Sequence, residues 1–284
     1  KNKIGRKIMI TASLLIFSLI IEYMYDPIVE KPSDRIIKKT FLLFRDFSNT
    51  IFDKFYTYLL FPISTYIILT VVVLLSGYLL HPFFSFLINL VILFYCLKPN
   101  EFILNMEKIK NDKFLDNCKE DKIFIRMMST KKYDLRSLKN NLFYNSLRNI
   151  FSIIFYFLLL GPAGSLAYLI LDSFVNDSSF KVDAKSKNRL SIILGILEYV
   201  PAHLTILSYA IVSDFEVCVR SFKSTEYNHD LYTYNKGLVN NVGVNLISES
   251  DSDDSIVQYK NIISRALLAW LSIVALLIFS GVFI

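Results

Sequence analysis

Glycine and proline are scarce in this sequence, eight and seven in 284 residues. A chain so poor in turn-formers has little material for the many short loops of an all-β domain, and long helices are favoured. Cysteine is scarcer still. Cys96, Cys118 and Cys218 are odd in number and far apart, which excludes a disulfide framework and a Cys-x-x-Cys metal pair. His81, His203 and His229 are equally scattered and form no zinc signature. A Walker loop, Gly-x-Gly-x-x-Gly, Gly-x-Ser-x-Gly and His-Glu-x-x-His are all missing. Nothing therefore nominates a nucleotide, hydrolase or protease centre, and no catalytic residue, metal ligand or cofactor is assigned. The net charge of +6 is not gathered into a basic folded module, so nucleic acid is not an expected partner. It suits juxtamembrane lysines and arginines facing the anionic lipids of a bilayer. A cleavable leader is not expected either. KNKIGRK and IMITASLLIFSLII supply basic and apolar regions, but the run continues to EYMYDP without a small-residue cleavage site.

What the chain does have is long apolar runs. It is 54% hydrophobic and 15% aromatic, with a mean hydropathy of +0.44. The reading is an all-α polytopic integral membrane protein, a single membrane domain over residues 1–284. It holds about six hydrophobic helices, roughly four to six of them spanning, plus amphipathic interfacial helices. The first run is Ile8–Tyr25, closed by Pro27 and Pro32. From Ile36 to Phe55 apolar residues recur at helical spacing with Lys38, Lys39, Arg45 and Lys54 between them. That pattern fits a helix lying in the membrane interface or one docked on the protein's own spans. Leu59–Leu97 is long enough for two spans in a hairpin turning at His81-Pro82.

Residues 98–150 form a basic amphipathic segment; Lys98–Asn149 carries twelve Lys/Arg against seven Asp/Glu. Spans are expected at Phe151–Leu171, Leu190–Val212 and Ile262–Ile284. Residues 213–261 are a polar loop whose ESDSDDS, 249–255, reads as a solvated acidic linker. If Asp26–Tyr58, Lys98–Asn149 and Ser213–Asn261 share one side, that side holds 22 basic residues. The N-terminal tail and the Asp172–Arg189 connection hold eight, so the long segments are expected to be cytoplasmic.

Polar residues inside spans are costly and mark function by default. Two stretches stand out. In LEYVPAHLT, Glu198 and His203 lie about 140° apart on an ideal helix with Pro201 between them. They suit either a kinked, packed helix or a ligand or proton site. In GPAGSLAYLILD, Gly161, Ala163, Gly164, Ser165 and Ala167 form small-xxx-small pairs that let another backbone approach. Pro162 bends or breaks the helix there, so this notch should face protein, with Asp172 at the aqueous boundary.

FSIIFYFLLLGPAGSLAYLILDSF followed by LEYVPAHLTILSYAIVSDFE resembles the superfamily of bacterial inner-membrane proteins that unites AmpE with adenosylcobinamide-phosphate synthase. Its members pair a span running into GPxGxxxY with a later span carrying PxRL. The synthase branch has an acidic cluster before the GPxG span; here YNSLRN keeps Asn145 but puts Tyr144 and Arg148 where carboxylates would be. His203 in PAHL replaces the arginine of PxRL. The resemblance is therefore to the AmpE-like branch. It implies a multi-pass protein of the bacterial inner membrane, a sensor or signalling modulator associated with β-lactamase induction and cell-wall recycling. The implied partners are the lipid bilayer, a membrane or cell-wall-recycling protein, and a muropeptide-like ligand. The alternative is an enzyme of cobalamin biosynthesis resembling the synthase. A polar cavity is expected from Arg148, Gly161, Pro162, Gly164, Tyr168, Asp172, Glu198, Pro201 and His203.

Overall fold

The computed structural model describes residues 35–48, 53–79, 82–97, 135–227, 230–247 and 252–279. The first hydrophobic run, most of the basic 98–150 segment, Cys118, His81 and His229 lie outside them. Among the described residues there are ten α-helices, one π-helical turn, one 3-10 turn and no strand. In chain order the helices are α1 (Arg35–Ser48), α2 (Lys54–Leu79), α3 (Pro82–Cys96), α4 (Leu135–Ser146) and α5 (Ser152–Leu160). There follow α6 (Pro162–Asn176), α7 (Ala184–Val212), α8 (Phe215–Ser224), α9 (Leu231–Asn245) and α10 (Ser252–Phe279). The all-α polytopic expectation holds. Among the described residues, four stretches are long and apolar enough to cross a membrane: Lys54–Leu79, Asn141–Leu160, Ala184–Val212 and Val257–Leu276. They differ in surroundings: 11% of the most apolar window is buried in the first and 78% in the second. The first presents its Ile, Leu and Val side chains outward, as a lipid-facing helix does.

The described chain divides into two compact units. The first contains α1, α2, α3, α5, α6 and the start of α7. Its core is aromatic. Phe41 of α1 lies 5.4 Å from Tyr58, 5.3 Å from Phe61, 4.8 Å from Phe174 and 6.0 Å from Phe180, measured between ring centroids. The amphipathic helix α1 ends at Ser48, and Phe55 belongs to α2, so it is shorter than its sequence pattern. It also combines the two expected roles. Ile37 and Phe41 dock inward, whereas Ile36, Leu43 and Phe47 remain exposed.

Phe151–Leu171 is not one span. Gly161 adopts φ 78°, a left-handed backbone that suits glycine, and Pro162 opens α6 with its ring at the position where a missing N–H costs nothing. A continuous helix would separate Tyr156 from Tyr168 by about 18 Å. Instead their rings stack at 5.1 Å, so α6 turns back along α5. A Cβ on Gly164 would overlap Leu160 and meet the Tyr156 carbonyl oxygen at 3.1 Å, which is why the notch needs a glycine. The turn returns α6 to the start of α2, where Phe174 meets Tyr58 and Phe61.

This return corrects the expected sidedness. Lys181 and Asp183 line a common cavity with Arg45, Lys54 and Tyr58. The Asp172–Arg189 connection therefore lies on the same side as the Arg45–Tyr58 end, not opposite it. Asp172 is corrected as well: it is 1% exposed, a buried residue rather than one at the aqueous boundary.

The second unit contains α4, the π-helical turn Leu147–Phe151, the rest of α7, and α8, α9 and α10. Asp214 caps α8 by accepting from the Val217 N–H at 3.0 Å, and Asp230 caps α9 by accepting from the Tyr232 N–H at 3.1 Å. The acidic stretch is not wholly a linker, since 252–255 form the first turn of α10.

Candidate functional site: a buried charged network around Tyr144

Within the second unit α4 runs directly into the π-helical turn Leu147–Phe151, closed by the Ser152 N–H donating to the Leu147 carbonyl. Such turns insert one extra residue into a helix and recur at functional positions. Here the turn carries Arg148, which is 2% exposed. One turn earlier stand Tyr144 and Asn145, both fully buried.

Tyr144 organises what surrounds it. Its phenol donates to Glu198 Oε2 at 2.9 Å. The Arg148 guanidinium lies 5.7 Å from its ring centroid, and the Lys236 ammonium lies 5.7 Å from the same centroid. Both distances are within reach of the ring's negative face. Arg148 also donates through its guanidinium to Asn145 Oδ1 at 3.3 Å. Glu198 is fully buried on α7. The network thus holds two cations and one carboxylate among the described residues. Burial is the main influence holding the Lys236 amine below the ordinary lysine range; the nearby Arg148 charge acts in the same direction, against the attraction of Glu198.

Helix α9 brings Lys236 into place through amide hydrogen bonds and two glycine contacts. The Tyr144 backbone N–H donates to Asn240 Oδ1 at 2.9 Å, and Asn240 Nδ2 donates to Asn141 Oδ1 at 3.4 Å. Asn235 Nδ2 donates to the Gly195 carbonyl at 2.8 Å. A Cβ on Gly195 would come within 2.5 Å of the Tyr232 backbone nitrogen, so the glycine permits the start of α9 to lie directly on α7. Gly243 does the same for the Phe143 ring. The Tyr232 ring meets Tyr144 edge-on at 6.1 Å. Asn235 Oδ1 is buried without a hydrogen-bond partner, an uncommon cost in a packed interior. Below this layer, Ser146 Oγ and Tyr209 OH share a hydrogen bond of 2.9 Å, and Trp270 Nε1 donates to Ser208 Oγ at 2.5 Å.

Of the residues expected to line a cavity, Arg148 and Glu198 come together here, linked through Tyr144. Pro201 is buried in α7, and its carbonyl accepts from Thr205 Oγ1 at 2.8 Å. His203 is occupied within its own helix: Nδ1 is 2.7 Å from the Tyr199 carbonyl, and its ring packs on Tyr199 and Phe222. Gly161, Pro162, Gly164 and Tyr168 build the α5–α6 turn in the first unit. Asp172, on α6, accepts from Asn176 Nδ2 at 2.9 Å. The sequence reading overlooked Lys236, Asn235 and Asn240. The signal was present in NKGLVNNVGVN, where four asparagines and two glycines interrupt an otherwise helical pattern. Poor helix formers in that number call for partners, and Asn240, Asn241 and Asn245 find theirs in side-chain hydrogen bonds.

No family model, curated protein or solved structure matches this chain.

Proposed function

We propose that the chain is a membrane sensor in which the network around Tyr144 reads an anionic ligand and α9 carries the response. The observation that supports this reading is the placement of two cations, Arg148 and Lys236, and one carboxylate, Glu198, around a single buried tyrosine. An anionic group that reached this tyrosine would meet both cations. Helix α9 is tied to its neighbours largely by amide hydrogen bonds, each worth about 0.5–1.5 kcal/mol net. A ligand with different affinities for its held and released positions can therefore bias it. The AmpE-like resemblance supplies a setting: the bacterial inner membrane, a muropeptide-like ligand whose carboxylates would suit Arg148 and Lys236, and induction of a chromosomal β-lactamase as the output.

The test compares Lys236→Gln and Tyr144→Phe in a host with an inducible β-lactamase. Both variants should shift the inducer dose needed for expression at unchanged membrane abundance. Calorimetry on the purified chain should show weakened binding of an acidic muropeptide to Lys236→Gln. Wild-type induction and binding in both variants would refute the sensor reading.

A further inference from the structure

The first unit has a separate, charged cavity of about 290 Å³ at the end of its helices. Arg45 and Asp46 from α1, Lys54, Thr57 and Tyr58 from α2, and Lys181 and Asp183 from the α6–α7 connection line it. The two carboxylates already have partners. Asp46 Oδ1 pairs with the Arg45 guanidinium at 3.2 Å, and Asp183 Oδ2 accepts from the Ser186 N–H at 3.0 Å to cap α7. That backbone hydrogen bond is the main reason the Asp183 carboxyl sits below its ordinary range, and Lys54 adds a smaller pull in the same direction. Lys54 and Lys181 face the cavity in addition to the Arg45–Asp46 pair, and Lys181 holds its place with a left-handed backbone, φ 49°. The floor is polar but quiet, since Thr57 is satisfied by Ser48 Oγ at 3.0 Å.

The surroundings say what kind of anion belongs there. On α1, Ile36, Leu43 and Phe47 are 55%, 68% and 71% exposed and form an outward apolar row beside the basic residues. On α2, Tyr56 is exposed at the cavity end, and the exposed row Ile63, Ile67 and Val71 begins about 10 Å further along the helix. A charged cavity next to an aromatic residue and above a lipid-facing helix is where headgroups of a bilayer lie. A soluble anion would gain nothing from the apolar rows.

We infer that this cavity binds the phosphate of an anionic glycerophospholipid, with Lys54 and Lys181 holding the headgroup and the exposed faces of α1 and α2 receiving the acyl chains. The inference is independent of the sensor reading, because no residue is shared with the Tyr144 network.

The test uses the full chain in nanodiscs of phosphatidylcholine doped with phosphatidylglycerol, with retained lipid counted by native mass spectrometry. Lys54→Gln/Lys181→Gln should retain about tenfold less phosphatidylglycerol, while the control Lys185→Gln/Lys187→Gln, exposed on the first turn of α7, loses less than about twofold. Excess inorganic phosphate should leave the retained lipid unchanged. Equal loss in both double variants would reduce the effect to diffuse surface charge and overturn the site. Displacement by inorganic phosphate would assign the cavity to a free anion and overturn the lipid. Where the glutamine variant melts early in pure phosphatidylcholine, Lys54→Arg/Lys181→Arg replaces it; lipid retained there supports the site, and lipid lost with the fold intact overturns it.

Discussion

The two units bury their interiors by opposite means. In the first, Phe41, Tyr58, Phe61, Phe174 and Phe180 meet ring against ring, and most of what is lost on exposure is dispersion and apolar burial. In the second, Tyr144, Arg148, Glu198 and Asn235 sit at comparable depth but rely on named partners, the half-buried Asn240 among them. An aromatic cluster tolerates a change of shape, because any apolar group recovers part of its contacts. A buried charged network does not, because removing one member strands the others without water. The second unit is therefore sensitive to a change of charge where the first is not.

The largest test of this contrast is Glu198→Ala. It removes the acceptor of the buried Tyr144 phenol and the carboxylate whose attraction favours the Lys236 charge, and the expected loss is about 3–5 kcal/mol, read as a lowered Tm in detergent. Glu198→Gln keeps an acceptor for the Tyr144 phenol and should lose less. A melting point unchanged in Glu198→Ala would mean that the network contributes little to the fold.

Glycine contacts give the next largest effect. In Gly195→Ala the new methyl meets Tyr232 backbone atoms at 2.5 and 2.9 Å, so α9 as a whole must shift. A loss of about 1–3 kcal/mol is expected, as for other overpacked positions. Gly237 lies on the same helix with nothing within 4 Å of its Cβ position, and Gly237→Ala should stabilise by about 0.5–1 kcal/mol through helix propensity. Similar changes in the two variants would show that α9 is not seated by its backbone contact with α7. In the first unit, Phe41→Leu should lose less than about 1.5 kcal/mol despite touching four rings, because leucine fills most of the space. A larger loss would show that ring geometry, not volume, holds that unit.

Much of this was legible in the sequence, and the reasons for the gaps are physical. Apolar runs of span length report helices directly, so the hairpin of α2 and α3 and the long α7 follow from composition alone. Leu142, Phe143, Leu147 and Ile150 recur at helical spacing in the sequence, and all four are fully buried. The break at Gly161-Pro162 was visible, but its angle was not: a bend and a full return need the same residues, and only the Tyr156–Tyr168 stack distinguishes them. The side of the Asp172–Arg189 connection depends on that return and was misplaced with it. Arg148 and Glu198 declared themselves as charges within apolar runs. Lys236 did not, because α9 is polar throughout, and a lysine among asparagines carries no hydropathy signal until its neighbours are placed. The π-helical turn at Leu147–Phe151 leaves no mark in residue periodicity over so short a stretch.

The smallest effect concerns Cys218, where the second unit buries a group that no partner satisfies by charge. The thiol is 1% exposed on α8 and pushed up to about 11, chiefly by burial and secondarily by the Asp214 carboxylate at the helix start. A protonated thiol is the folded form over the whole physiological range, so any stability it contributes persists below pH about 9 and fades as pH rises toward 11. In a Cys96→Ala/Cys118→Ala background, alkylation at pH 8 should run about 100-fold slower than for an exposed thiol, since the thiolate fraction falls by that factor. The Asp214→Asn variant separates the two causes. Asparagine still caps α8, so the helix stays seated while the repelling charge is gone, and reactivity should rise only modestly. A rise to the rate of a free thiol would mean that the carboxylate, not burial, protects Cys218, and that the packing between α8 and its unit is looser than the structure describes.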